Sequence, residues 1–312
     1  MDRKGKEIIT ASWVSIAGNS LLAIMKLVVG FIAGSFAVIA DGIDSASDIV
    51  SAIVTLIAAR VISKPPNAKF AYGYVKADTL ASKILSMFIF LAGAQLAITT
   101  ISKIISGAPA SVPRMLAVYF MAVSVIGKIA LNLYLNRVGS RHHSKMLITL
   151  GKNMRNDIVI SVGVIVGLVL AQMLDSSIID KVIALLISTF IMVEAIRIFM
   201  KTNTELMDGI DDPELYERLF QAIQKVDGAY NPHRTRARKI GSKYMINLDV
   251  EVDPNLSVKE AHHIAQNVER MIKEEIENVY DVMVHIEPYG NEERGEKFGL
   301  AASDFTPNQK KS

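Results

Sequence analysis

The hydrophobic pattern divides the chain in two. Six predominantly apolar stretches, approximately 9–33, 37–60, 79–105, 112–137, 148–172 and 177–200, each reach the roughly 20 residues that a helix needs to cross a bilayer. After residue 200 the continuous runs stop and shorter amphipathic periods begin. Residues 213–226 carry a helical period behind the start signal Asp211-Asp212-Pro213. Residues 234–240 and 244–252 read as two strands around Gly241-Ser242, the second alternating Met245, Leu248, Val250 and Val252 imperfectly. Ser257 N-caps a helix over 257–276, and Glu260 completes a capping box. A last strand over 282–286 closes at Pro288. The expected fold is an α-helical membrane protein of six transmembrane helices followed by an α+β domain of order αββαβ. The boundaries are 1–203 for the membrane domain and 204–290 for the second. Residues 291–312 are polar and aperiodic, and a disordered tail is expected there.

Charge orients the spans. The N-terminal tail (Arg3, Lys4, Lys6), the second–third loop (Arg60, Lys64, Lys69, Lys76) and the fourth–fifth connection (Arg137, Arg141, Lys145) are basic. The first–second turn near Gly34-Ser35 carries no charge, and the fifth–sixth turn holds Asp175 with Asp180 and Lys181 close behind. Lys103 and Arg114 flank the third–fourth turn and fit less well. The positive-inside rule then puts both termini in the cytoplasm, in the cell (inner) membrane. The first apolar stretch has a basic start but no small-residue cleavage pattern, so it is expected to be a retained span and not a signal peptide. Gly30, Gly34, Gly93, Ala94, Gly163 and Gly167 lie where helices would pack closely.

Composition agrees. The chain of 312 residues is 51% hydrophobic with a mean hydropathy of +0.32, too apolar for an ordinary soluble domain. A net charge of +3 names no partner, and the lack of cysteine excludes disulfides and thiolate metal sites.

Four polar side chains inside the apolar stretches carry the chemistry. Asp44 and Asp48 in the second span, and Asn153 and Asp157 in the fifth, each have i,i+4 spacing and project from one helical face. Each carboxylate at mid-bilayer costs about 2.5–3.5 kcal/mol on insertion scales, so residues of this kind usually mark an ion pathway. Together they predict a buried, all-oxygen site for a divalent cation. Asp41 shares the face of Asp44 and Asp48 but lies near the start of its span, where it is an accessory ligand or a solvated helix-end residue. An intramembrane aspartyl protease would also place aspartates in two spans, but singly; doublets with an amide partner fit chelation, so no enzymatic role is expected. The basic run Arg234–Lys239 lacks interleaved aromatics, and no nucleic-acid binding is expected.

The chain resembles the cation diffusion facilitators, a family of homodimeric divalent-metal/proton antiporters. The resemblance covers about residues 8–290. It rests on AVIADGIDSASDIV in the second span, NMRNDIVISVGVIV in the fifth, YGYVKAD before the third, and the later runs RTRARKIGSKY, VDPNLSVKEAHHIA and VHIEP. It implies a metallochaperone-like cytoplasmic domain and a transport site at Asp44, Asp48, Asn153 and Asp157. Zinc-transporting members usually have histidine at the position of Asn153, and often at that of Asp44. Hard oxygen ligands suit manganese, and members with an Asn-x-x-x-Asp fifth span tend to export it, so Mn²⁺ is favoured over Zn²⁺, Co²⁺ or Fe²⁺. The implied mechanism is alternating access, with protons competing for the same carboxylates on the outward side. A metal sensor or scaffold that does not transport is the other class that keeps this fold.

The resemblance also implies accessory features. No His, Asp or Glu lies between Lys64 and Ala77, so the second metal site that some members hold there is expected to be missing. Lys76 and Asp208 match a charge pair at the dimer interface. His262 and His285, with Asp249 or His233, match a regulatory metal site in the cytoplasmic domain; Glu287 follows His285, and Asn231 stands where histidine is common. His142 and His143 are a weak signal for metal capture.

Overall fold

A computed structural model describes residues 3–106, 112–142, 144–210, 212, 214–241, 243–290 and 299–305. It divides into two compact units, Met1–Arg60 with Ala81–Phe199 and Val61–Leu80 with Met200–Ser312. The start signal at Asp211 and Pro213, the turn residue Ser242, and His143 lie outside the described residues.

The first unit is built from α1 (Arg3–Ala33), α2 (Phe36–Ile62), α3 (Ala77–Ile105), α4 (Leu116–His142), α5 (Lys145–Met173) and α6 (Ser177–Leu206). All six are long and apolar enough to cross a membrane. Several run past their apolar windows, because helix propensity does not stop where hydrocarbon does; α4 continues to His142 and α6 to Leu206. A core forms from Ala37, Val38 and Ala40 of α2, Ile89 and Leu96 of α3, Val164 and Leu168 of α5, and Ala184, Ile187 and Ile191 of α6. Outward faces stay apolar: Phe31, Phe88, Val159 and Leu186 are exposed, as suits a surface solvated by lipid.

Two features set α2 against its neighbours. Gly30 and Gly42 line the α1–α2 contact, where a Cβ would meet Ile39 at 2.9 Å and Leu27 at 2.8 Å respectively. The N-terminus of α2 is capped twice. The Ser35 hydroxyl accepts from Val38 N–H, and the buried Asp180 of α6 accepts from Ser35 Oγ, Phe36 N–H and Ala37 N–H. Asp180, expected beside a loop, is instead a buried cap, since a carboxylate satisfies the free N–H groups of a helix start. Gly163 meets no atom within 4 Å of an added Cβ, so it makes no close helix contact.

The second unit has the order α7 (Glu214–Ile223), β1 (Tyr230–Ile240), β2 (Lys243–Val252), α8 (Val258–Glu275), β3 (Val279–Pro288). The sheet order is β1-β2-β3, with β1 antiparallel to β2 and β3 parallel to β2 across the α8 crossover. Leu215, Leu219 and Ile223 of α7 and Val268 and Ile272 of α8 bury against Ile246, Leu248 and Val250. The capping box at α8 is formed: Glu260 N–H reaches Ser257 Oγ at 3.3 Å and Ser257 N–H reaches Glu260 Oε2 at 2.8 Å. The Ser257 hydroxyl, which also donates to Glu260 Oε2 at 2.6 Å, and the Ser257 N–H together hold the exposed Glu260 carboxyl below the usual carboxylate range.

β1 begins four residues earlier than the sequence period indicates. Asn231 and Arg234 adopt φ of 41° and 48°, and register shifts flank His233, so side chains there do not alternate with period two. Part of the expected disordered tail is ordered: Leu300 pairs with Thr235 through two 3.0 Å backbone bonds, and Ala302–Phe305 forms a 3-10 turn.

Candidate metal centre

α2 carries Asp41, Asp44 and Asp48, and α5 carries Asn153 and Asp157. Asp44 and Asp48 both feel the charges of Asp157, Lys128 and Lys26, so the acids of the two helices share one electrostatic neighbourhood. Asp44 and Asp157 are half-buried, whereas Asp48 and Asn153 are exposed. The three carboxylates also do not gather within 4.8 Å of one another; among the described residues only His233, Asp249 and Glu287 do so. Like charges separate, and one of them has another partner.

That partner is Lys128 of α4. Its Nζ lies 3.0 Å from Asp157 Oδ2 and donates to Ser45 Oγ at 3.2 Å. A second lysine, Lys26 of α1, lies 2.7 Å from Asp41 Oδ2 and donates to Ser45 Oγ at 3.1 Å and Ser161 Oγ at 3.0 Å. Ser161 in turn donates to both Asp41 oxygens. Lys26, Lys128 and Asp41 are at most 2% exposed. Asp41 is thus not solvated; it is the counter-charge of Lys26. Sequence reasoning missed both lysines, although each is a lone charge in an apolar run, the signal that picked out the aspartates.

In the second unit, strand register builds the other cluster. His233, Asp249 and His285 face one another across β1, β2 and β3. His233 Nε2 lies 3.3 Å from Glu287 Oε2, and His285 Nε2 lies 3.7 Å from Glu287 Oε1. Arg234 bridges the acids, 2.9 Å from Asp249 and 3.3 Å from Glu287. Asp249 and His285 alternate with Leu248, Val250, Val284 and Ile286, which pack toward the helices, so they occupy the sheet's opposite face. His262 is exposed on α8, in the helical layer, and the cluster does not include it. Asn231 donates to Glu251 at 2.6 Å, and His142 Nε2 meets Glu7 at 2.7 Å.

Lys76 and Asp208 pair within one chain at 2.5 Å, both nearly half exposed, with Arg238 stacked over Tyr72 nearby.

Six spans with paired acid and amide donors, followed by an αββαβ unit, define a metal-cation transporter. Residues 12–207 match the family described as Cation efflux transmembrane domain, and residues 212–289 match Cation efflux protein, cytoplasmic domain. The chain belongs to this cation efflux, or cation diffusion facilitator, family and is a metal cation efflux transporter. It is 32% identical over 275 residues to the manganese efflux system protein MneS of Bacillus subtilis, covering 88% of this chain and 93% of that one. It is 27% identical over 285 residues to the manganese efflux system protein MneP of the same organism, covering 89% and 95%. Among solved structures it is similar to the metal-bound C-terminal domain of the CzcD transporter from Thermotoga maritima, with 36% identity and a TM-score of 0.25 over 26% of this chain and 93% of that one.

Proposed function

We propose that this chain exports Mn²⁺ from the cytoplasm in exchange for protons, as a homodimer with both termini cytoplasmic in the cell membrane. The observation that carries the reading is the oxygen-only donor set: Asp44 and Asp48 on α2 share a charge neighbourhood with Asp157 on α5, and no imidazole stands among them. Carboxylate and amide oxygens suit manganese, whereas imidazole suits zinc, copper and nickel. The manganese efflux function in the names of two relatives points the same way.

Asp44, Asp48 and Asp157 bind the ion and Asn153 donates its carbonyl oxygen. An aspartate exposed at mid-span is too costly against hydrocarbon, so the face carrying Asp48 borders a water-filled path through which the ion reaches the site. In the outward state protons take the carboxylates and the ion leaves. Moving two charges outward against 100 mV costs about 4.6 kcal/mol, and each entering proton returns about 2.3 kcal/mol. The His233, Asp249 and Glu287 cluster, with His285 beside it, is a cytoplasmic metal sensor; His262 takes part only if it is supplied across a dimer.

The test is proton-driven uptake of Mn²⁺ and Zn²⁺ into proteoliposomes by the wild type and Asn153→His. The expected result is Mn²⁺ preference in the wild type and a gain of Zn²⁺ transport, about tenfold, in the variant. A wild type that already moves Zn²⁺ faster overturns the manganese reading and leaves the transporter intact.

A further inference from the structure

A lysine buried at mid-bilayer is as expensive as an aspartate, and Lys128 is 1% exposed. Packing alone gives no reason to retain it, since a methionine fills a similar volume. Its position is what is informative. The ammonium sits on Asp157, a proposed metal ligand, and not on a residue outside the site. Lys26 is already matched by Asp41, and Ser45 Oγ accepts from both lysines, so Asp157 is the carboxylate that Lys128 holds.

We propose that Lys128 is a tethered counter-cation of the transport site: its ammonium holds Asp157 until an arriving divalent ion displaces it. The proposal rests on the reading of Asp157 as an ion ligand. Charge balance supports it. Counted fully ionised, the four carboxylates of Asp41, Asp44, Asp48 and Asp157 and the two ammonium groups of Lys26 and Lys128 leave two negative charges. One divalent cation brings the group to neutrality, whereas a monovalent or trivalent ion leaves it charged in a low-dielectric setting, where net charge is costly. The lysine therefore sets how tightly the ion is held as well as which charge is accepted. With the ammonium competing for Asp157, the ion binds more weakly and leaves more readily, which a transporter needs at the outward face.

The experiment compares Lys128→Met, Lys128→Gln and Lys128→Arg in the full chain, with Asp249→Ala added throughout to silence the cytoplasmic cluster. Equilibrium Mn²⁺ binding is titrated calorimetrically in detergent, and Mn²⁺ uptake is followed in proteoliposomes. Removing the charge should tighten Mn²⁺ binding and lower KM about tenfold, the worth of one charge-assisted hydrogen bond, and should reduce kcat. Lys128→Arg should restore both values toward wild type. The Gln variant keeps a donor to Asp157, so it carries the test if the Met variant is not monodisperse. A merely structural lysine would lower activity without tightening binding. Unchanged or weakened binding in both neutral variants overturns the proposal. Asp157→Asn separates the two readings: if it still binds and moves Mn²⁺, Asp157 is no ligand and the transport-site reading fails first.

Discussion

Single residues decide the chemistry, and they were unevenly legible. Asp44, Asp48 and Asp157 stand out because carboxylates in apolar runs are rare. Lys26 and Lys128 carry the same cost but offer no i,i+4 partner, so nothing in the linear pattern ties them to the acids; only helix packing brings Lys26 to Asp41 and Lys128 to Asp157. Burial turns this into an expectation about stability. Lys26→Met leaves the 0% exposed Asp41 without its counter-charge, and breaking a buried pair costs about 3–5 kcal/mol. The thermal midpoint of the detergent-solubilised protein should fall sharply. Lys26→Met/Asp41→Asn should recover most of the loss, because an apolar and amide pair carries no uncompensated charge. If the single and double variants unfold alike, the pair is not what holds α1 to α2.

At the scale of elements, the spans and the αββαβ order were legible because length and periodicity report burial directly. What the sequence hid are contacts between distant elements. Asp180 reads locally as one more charge near a turn, and its part as the cap of α2 depends on α6 beginning beside Ser35. The extra length of β1 was hidden for a different reason: the left-handed Asn231 and Arg234 break the alternation by which strands are recognised. Because α2 bears Asp44 and Asp48, its anchoring bears on the site. Asp180→Ala removes a carboxylate that accepts three bonds at a buried helix start. The expected loss is about 2 kcal/mol or more, read as a lower thermal midpoint, with the KM for Mn²⁺ nearly unchanged in the folded fraction. A large change in KM at unaltered stability would mean that Asp180 acts on the ion and not on the helix.

At the scale of the whole molecule, each of the two units sets a basic side chain on its acids, Lys128 on Asp157 in one and Arg234 on both Asp249 and Glu287 in the other. The Lys76–Asp208 pair is too exposed to add much stability, since such pairs contribute about 0–1 kcal/mol. Arg234 differs, because its partners Asp249 and Glu287 are largely or fully buried. On the proposed sensor reading, the guanidinium held between them occupies the oxygens that a cytosolic ion would need, so a low affinity is the expectation. Arg234→Met should therefore tighten Mn²⁺ binding at the cytoplasmic cluster by about tenfold, measured by calorimetry in the Asp157→Asn background so that the membrane site is silent. His233→Ala should weaken it, and His262→Ala should leave binding by a single chain unchanged, because His262 lies in the helical layer while the cluster lies on the sheet's other face. In the transport-competent chain, Arg234→Met should then bring uptake to its maximum at lower cytosolic metal. Tighter binding without that shift would leave the cluster a metal site that has no hold on transport.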